Sequence, residues 1–315
     1  MHTLLIFLMR RRHFFFKVLL SLLLFSSVSF SQEGNSVALV IYPQIREPFS
    51  KVFDDIVLGF DEQFNGTTRR LRVQKSDTPE TIASGLQVHN PQVILALGNR
   101  SYDLYKSSNS APPVLLGAVA ETEEHITGVS MIPDAEVVLG QMLSFSPGVK
   151  KVYVIRQRGR LDPMLSVAKR YLEKRKIILE ISECDDLQQG ASAYRQVLDD
   201  AVEGDAIWVL PGSRLLDNAV LSLALNTAWQ KNLVMFSSNP LHVKRGMLFA
   251  VYPDNRGMGA SLGRLANETL SGEKLSGMMP LKDVLIAVNE RTSRHLAIEL
   301  TNEMKSNIDL LLPAR

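Results

Sequence analysis

At 315 residues, with 45% hydrophobic and 22% charged side chains, the chain has an ordinary globular composition and exceeds the usual size of one domain. Its 35 Lys and Arg stand against 33 Asp and Glu with no basic stripe, a balance that excludes nucleic acid as a partner. One cysteine, Cys184, excludes an internal disulfide, so stability has to come from the size of the core.

Residues 1–31 read as a secretory signal peptide. Arg10, Arg11, Arg12 and Lys17 precede an apolar run from Val18 to Phe25, and Ser29 and Ser31 suit cleavage before Gln32. Met9 is an alternative start, and an uncleaved anchor is the rival reading, disfavoured because the apolar run is short for a bilayer. Cleavage leaves 31 basic against 33 acidic residues, a net charge of −2. With no cysteine at the cleavage point there is no lipid-attachment site, and the expected location is a bacterial periplasm.

Beyond the leader, apolar runs of strand length fall at 37–42, 71–75, 93–97, 114–119, 152–156, 177–181, 206–210, 233–236, 247–252 and 284–288. Helix-period segments lie between them at 51–64, 79–89, 135–145, 163–174, 191–202, 217–230, 256–270 and 292–304. Such a βα ladder predicts parallel sheets covered by helices, and Val93-Ile94-Leu95-Ala96-Leu97, without alternation, predicts a strand buried on both faces. Two sheets of about five strands suit this length better than one of ten. Gln92 to Leu97 running into Gly98-Asn99-Arg100-Ser101 is matched by Ala206 to Leu210 running into Pro211-Gly212-Ser213-Arg214, as if two similar halves were joined. The boundary is expected near 118–128, where periodicity lapses into Glu121-Thr122-Glu123-Glu124.

Val93 to Gly98, Pro113 to Val119, Ile126-Thr127-Gly128-Val129-Ser130 and Phe145-Ser146-Pro147-Gly148-Val149-Lys150-Lys151-Val152 together resemble the ABC transporter substrate-binding family of the tryptophan/tyrosine-binding type. Phe249 to Tyr252 leading to Gly259 and Gly263, and Ile286-Ala287-Val288-Asn289 before Thr292, are similar to its closing elements. The resemblance implies the α/β fold of type I periplasmic binding proteins: two Rossmann-like lobes with parallel sheets, joined by a three-crossover hinge. It places residues 32–118 and 252–281 in lobe 1 and 119–251 and 282–315 in lobe 2. It also implies a protein that performs no chemistry and delivers a small ligand to an ABC permease of the inner membrane. Asn99-Arg100-Ser101 stands where members commonly carry a Thr-Pro-Ala-like loop, and Glu121-Thr122-Glu123 where they carry an Asp-Pro pair.

Candidate ligand contacts lie where strands end. Asn99, Ser101, Gly212, Ser213 and Ser237 offer hydroxyls, an amide and backbone N–H groups at helix starts, suited to a carboxylate or other anion. Capping is the ordinary alternative for each. Arg100 is placed to grip an anion with two hydrogen bonds, or to lie solvated on the surface. Tyr42 and Tyr252 (and Tyr102 nearby) suit stacking on a ring or a lobe core. Gln44, Glu47 and Asp254, with Glu121 at the hinge, suit an amine or hydroxyl, or else capping and solvent. Arg156, Arg158 and Arg160 form a basic cluster that reaches the cleft or lies exposed. The expected ligand is amino-acid-like or a small anion, bound by a monomer.

An enzyme is the weaker reading. Gly259-Ala260-Ser261-Leu262-Gly263 matches a hydrolase nucleophile elbow in letters, but Ser261 falls inside a helix-period segment instead of on the turn after a strand. Small residues there are expected to let the helix pack closely on its sheet. No Gly-rich phosphate cradle of the dinucleotide or P-loop pattern occurs, and the histidines lack metal-site spacing, so no cofactor and no metal is expected. A periplasmic sensor subunit serving a membrane receptor or kinase is the alternative that keeps the fold.

Overall fold

The computed structural model describes residues 36–120, 126–273 and 277–313; the expected leader over 1–31 and Glu121 lie outside them. In chain order the described elements are β1 (Ser36–Pro43), α1 (Phe49–Gln63), β2 (Gly66–Val73), α2 (Pro79–His89), β3 (Val93–Leu97), α3 (Asn99–Ser107), β4 (Val114–Val119) and β5 (Gly128–Pro133). Then come α4 (Ala135–Phe145), β6 (Lys151–Gln157), α5 (Asp162–Glu173), β7 (Ile178–Cys184), α6 (Leu187–Asp200), β8 (Ala206–Val209), α7 (Asn218–Gln230), β9 (Val234–Ser237) and α8 (Pro240–Arg245). The last are β10 (Phe249–Pro253), α9 (Asn255–Leu270), β11 (Met278–Leu281), β12 (Val284–Asn289), α10 (Glu290–His295), α11 (Asn302–Ser306) and β13 (Leu310–Leu312).

They form a six-stranded sheet in the order β11-β5-β4-β3-β1-β2 and a seven-stranded sheet in the order β13-β12-β10-β9-β8-β6-β7. Five consecutive positions run in the same sense in both: β2-β1-β3-β4-β5 in one and β7-β6-β8-β9-β10 in the other. The two similar halves read from the loops are therefore one topology used twice. Neighbours pair in parallel except β10 with β12. Parallel pairing has a cause in the βα alternation, since each helix carries the chain back before the next strand.

Alternate residues of each central strand point to opposite helical layers. From the first sheet, Val40 and Leu95 pack with Phe60, Met258 and Leu262 of α1 and α9, while Leu39, Ile41 and Ile94 pack with Ile82 and Leu104 of α2 and α3. From the second, Val154, Trp208 and Phe236 join Val138 and Leu165 of α4 and α5, and Tyr153, Ile207 and Met235 join Tyr194 and Leu221 of α6 and α7. Trp208, Phe236 and Phe249 stack in series, with centroids 5.9 and 4.9 Å apart. Each such buried ring stabilises the fold by about 1.5–3 kcal/mol.

The chain passes between sheets three times: after β5, after β10, and between β11 and β12. The first passage follows Pro133, because β5 continues the first sheet through the pairs Leu116↔Gly128 and Val119↔Ser130. Pro133-Asp134 and Pro253-Asp254 mark two of the passages. Asp134 accepts from Glu136 N at 2.8 Å to start α4, and Asp254 accepts from Gly257 N at 3.0 Å to start α9. The passages are tied together by backbone: Asp134 N donates to Leu281 O at 2.8 Å and Asp254 N to Asp283 O at 3.0 Å.

Periodicity missed β5, β11 and β13 and the helices α3 and α8. It also placed one helix at 292–304, where α10 and α11 are separated by a segment in which Ala297 has φ 53°. The helix over 256–270 packs its small residues on α1, not on a sheet.

Candidate functional site

A cleft of about 340 Å³ opens at the carboxyl ends of β8, β9 and β10, with the end of β5 from the first sheet as its other wall. Strand ends at an α/β edge are where loops and helix starts converge, and two such sheets meeting there make a pocket without further elements. Val209, Leu210 and Leu216 supply apolar surface from the β8 side, and Met131, Ile132 and Pro133 from the β5 side. Pro253 lines it from the second passage.

Its polar groups come from two loops. Gly212 takes φ 63°, a left-handed conformation that a side chain disfavours, and this turns the chain so that Ser213 N donates to Leu210 O at 3.3 Å. Arg160 Nη1 donates to Gly212 O at 3.3 Å, holding this loop from the end of β6. In the second loop Ser237 Oγ accepts from Asn239 N at 3.1 Å and shares a hydrogen with His242 Nδ1 at 3.2 Å. Asn239 caps α8 by accepting from Leu241 N at 3.0 Å. Burial, and then the nearby Arg245, push the His242 imidazole below its usual value, so the ring is neutral near pH 7. Ser238 Oγ is buried with no hydrogen-bond partner.

Of the residues singled out from sequence, Gly212, Ser213 and Ser237 line this cleft; Ile132, Ser238, Asn239 and His242 line it too and were not foreseen. His242 carried no signal beyond a lone histidine. Ser238 and Asn239 stood beside Ser237 at a strand end and were legible by the same rule.

The first-sheet candidates have other surroundings. Arg100 turns to the loop after β2, donating to the carbonyls of Gln74 (3.0 Å), Lys75 (2.7 Å) and Asp77 (3.2 Å). Its guanidinium fastens a loop instead of facing the cleft lining. Asn99 is exposed at the start of α3, and Ser101, one turn in, is fully buried with its Oγ unpartnered. The Tyr42 ring is buried in the lobe core, its hydroxyl accepting from Arg72 Nε at 2.9 Å. Gln44 and Glu47 are exposed after β1, with Gln44 N bonded to Val73 O at 2.8 Å. Tyr252 packs beside Val243 and Ala287, and burial raises its hydroxyl; Asp254 is the α9 cap. In the basic cluster, Arg156 pairs with Asp162 and Glu183, and Arg158 with Glu183 and Asp185 at 3.0 Å each. Ser261 lies in the middle of α9, its hydroxyl on Asp283 and accepting from Arg264 Nη2 at 2.7 Å, which is not the geometry of a nucleophile elbow.

Among the described residues no group of His, Cys, Asp and Glu is disposed to hold a metal ion, and no helix is long and apolar enough to cross a membrane.

No curated protein matches the chain. Among solved structures, the ligand-free, open form of CD0873, a substrate binding protein with adhesive properties from Clostridium difficile, superposes with a TM-score of 0.63 at 15% identity, over 88% of this chain and 99% of that one. The ABC domain in complex with L-Trp from Streptococcus pneumonia matches with a TM-score of 0.53 at 16% identity, over 88% and 100%. A conserved domain protein from Vibrio cholerae also gives 0.53 at 16%, over 88% and 99%. These likenesses establish a fold of the type I periplasmic binding protein kind. The family model described as ABC transporter substrate binding protein matches residues 74–308, from the start of the loop after β2 almost to the last strand, and the chain therefore belongs to that family of solute-binding proteins.

Proposed function

We propose that this protein is an exported, extracytoplasmic carrier that closes on a small polar or amino-acid-like solute and hands it, unchanged, to an ABC permease. The observation that carries the reading is the placement of the cleft: it lies at strand ends of the second sheet, against β5 of the first, beside the passages on which two lobes would turn. We divide those lobes after Pro133, with α9 and β11 returning to the first. A solute touching both walls stabilises the closed form over the open one, and only such differential contact shifts the equilibrium. The L-Trp bound by the streptococcal relative makes an amino-acid-like solute the first class to try. The leader-like segment and the family support export.

The test is to incubate the purified protein with a whole-cell metabolite extract, wash it, denature it and identify what is released by mass spectrometry. One solute class should be enriched with its mass unchanged, and its pure form should raise the melting temperature with the logarithm of concentration. A product of altered mass, or no enriched compound, would overturn the reading.

A further inference from the structure

The outer helical layer of the second sheet carries a face that combines exposed cations with an exposed indole. α7 and α8 cover the same side of that sheet: Leu221 and Ala224 pack with Met235, and Val243 packs with Ala250, whose strand partner Ser237 lies one full pleat from Met235. α10 is tied to the end of α8, with Thr292 Oγ1 donating to Gly246 O at 2.9 Å and Asn289 Nδ2 to Val243 O at 2.8 Å. It reaches α7 through Trp229. The His295 ring stacks on the indole with centroids 3.6 Å apart, and His295 Nε2 donates to Trp229 O at 2.8 Å. The Arg291 guanidinium lies over the same indole, 5.3 Å from its centroid. Arg245 joins α8 to α7 by donating to Asn218 Oδ1 at 2.7 Å and Ser222 Oγ at 2.9 Å.

α8 and α10 hold four cations, Lys244, Arg245, Arg291 and Arg294, against one acid, Glu290, which Arg294 holds at 3.1 Å. At the start of α7 the Asp217 carboxylate is occupied by the N–H groups of Ala219 and Val220. Among the described residues no ion pair involves Lys244, Arg245 or Arg291. Beyond the leader-like segment the chain has 31 basic against 33 acidic residues, so this face is a local reversal of sign. Its apolar side chains are open to water as well: Trp229 is 37% exposed and Leu241, one turn before Lys244, is 66% exposed.

Fastening α10 to α7 accounts for the ring stack and for the His295 hydrogen bond. It leaves Lys244 and Leu241 without a purpose, and it does not need unpaired cations gathered where they repel one another. Cations around an indole are the composition that a bilayer surface favours, because the indole settles at headgroup level while Lys and Arg meet lipid phosphates. An acidic protein loop would satisfy the charges and gain nothing specific from the indole and the leucine. Each cation near an anionic bilayer strengthens binding about fivefold, so three of them suffice for reversible attachment.

Resting on the extracytoplasmic placement above, we infer that the face built from α7, α8 and α10 is a peripheral docking surface for an anionic phospholipid bilayer. Trp229 and Leu241 enter the headgroup region, and Lys244, Arg245 and Arg291 meet the lipid phosphates. Such contact holds the carrier beside the membrane by a surface apart from its cleft.

Tryptophan emission tests this on the full chain, because Trp208 is fully buried and Trp229 is the other tryptophan of the sequence. Vesicles of phosphatidylcholine mixed equally with phosphatidylglycerol should shift the emission to shorter wavelength saturably, and molar salt should abolish the shift. Phosphatidylcholine alone should bind at least about tenfold more weakly. Lys244→Glu, which has no partner to lose, should fold normally and weaken binding several-fold, and adding Arg291→Glu should remove the shift. Arg69→Glu, an equal charge reversal on the edge of the first sheet, should leave it intact. No shift with the mixed vesicles, or an equal loss from Arg69→Glu, would overturn the docking surface. So would the same shift produced by inorganic phosphate or by soluble polyglutamate, which would make the face an ion site or a protein contact instead. Solute recovery from the metabolite extract does not depend on lipid, so failure here is separable from failure of the transport reading.

Discussion

Gly59 of α1 and Gly259 of α9 lie against each other's helix backbone: a Cβ on Gly59 would stand 1.9 Å from Arg256 O, and one on Gly259 would stand 1.9 Å from Ile56 O. No real Cβ approaches a carbonyl so closely, so the helices have to part to admit even a methyl group. Gly263 extends the contact, with a Cβ there 2.9 Å from Phe60 O. At the end of the seam Asn267 donates to Gln63 O at 2.8 Å and accepts from Asn65 N at 2.9 Å. The chain arrives at α9 from the second sheet, and this backbone-to-backbone seam fixes it on the first. The three-passage hinge depends on that return.

Gly259→Ala should therefore destabilise the protein although alanine is the better helix former. Overpacking costs about 1–3 kcal/mol, against a gain of up to about 1 kcal/mol in helix propensity. Thermal denaturation should show a melting temperature lower by several degrees. A melting temperature equal to or above that of the parent chain would show that the helices separate freely.

Ser261 and Asp283 join the same helix to the third passage. The serine hydroxyl donates to the Asp283 carboxylate and accepts from Arg264, while the Asp283 carbonyl takes the Asp254 amide. Asp283→Asn weakens the first contact without removing the backbone one, and because both side chains are half-exposed the loss of stability should be no more than about 1 kcal/mol. The effect should be local: faster hydrogen exchange at 281–284 and at 254, with the centres of both sheets unchanged. Uniform acceleration across the protein would count against a role confined to the passage.

The sheets were legible in sequence where their strands are buried on both faces. Val93 to Leu97 announces itself because every residue is apolar, and the structure buries all five. β2 was legible only at its end, as the run 71–75, since Arg69, Arg70 and Arg72 sit on an edge that needs charge more than burial. Ser130 in β5 and Pro280 in β11 interrupt their apolar residues, and β5 begins at a glycine whose added Cβ would lie 2.0 Å from Leu116 O; such a strand is placed by its neighbours and leaves no periodic signature. The cleft was half legible for the same reason. Gly212, Ser213 and Ser237 follow from the rule that strand ends gather ligands, but Ile132 reaches the cleft only because β5 stands next to the second sheet, which is a tertiary fact. Arg100 shows the reverse error: its position after β3 was read correctly, and its direction was set by carbonyls of a loop 23–26 residues earlier in the chain.

Arg100→Ala removes the donor shared by Gln74, Lys75 and Asp77 and should release the loop that leads into α2. Each lost bond from a charged donor to an exposed carbonyl contributes little, so global stability should fall by about 1 kcal/mol or less. Cleavage by a nonspecific protease at low concentration should shift to 74–78, ahead of any other site. If the cleavage pattern of the variant matches that of the parent, the guanidinium is not what holds this loop.

Acidification should act through His242. Burial first, and Arg245 second, lower its folded pKa beneath the ordinary histidine value of 6.5, so the unfolded chain takes up the proton before the folded one does. Stability from this group is complete above the unfolded value and declines as pH falls toward the depressed folded value, below which the dependence stops. Protonation also takes away the imidazole lone pair that Ser237 can use at Nδ1, 3.2 Å away, and sets a positive charge in a wall that has no carboxylate among its described lining residues. His242→Gln keeps a polar side chain and cannot titrate. Melting temperatures taken from about pH 7.5 to 5 should therefore fall more steeply for the parent than for the variant, the curves diverging below the ordinary histidine value. Carboxylates common to both proteins cancel in that difference. Parallel curves over the whole interval would mean that His242 is charged as readily in the fold as outside it.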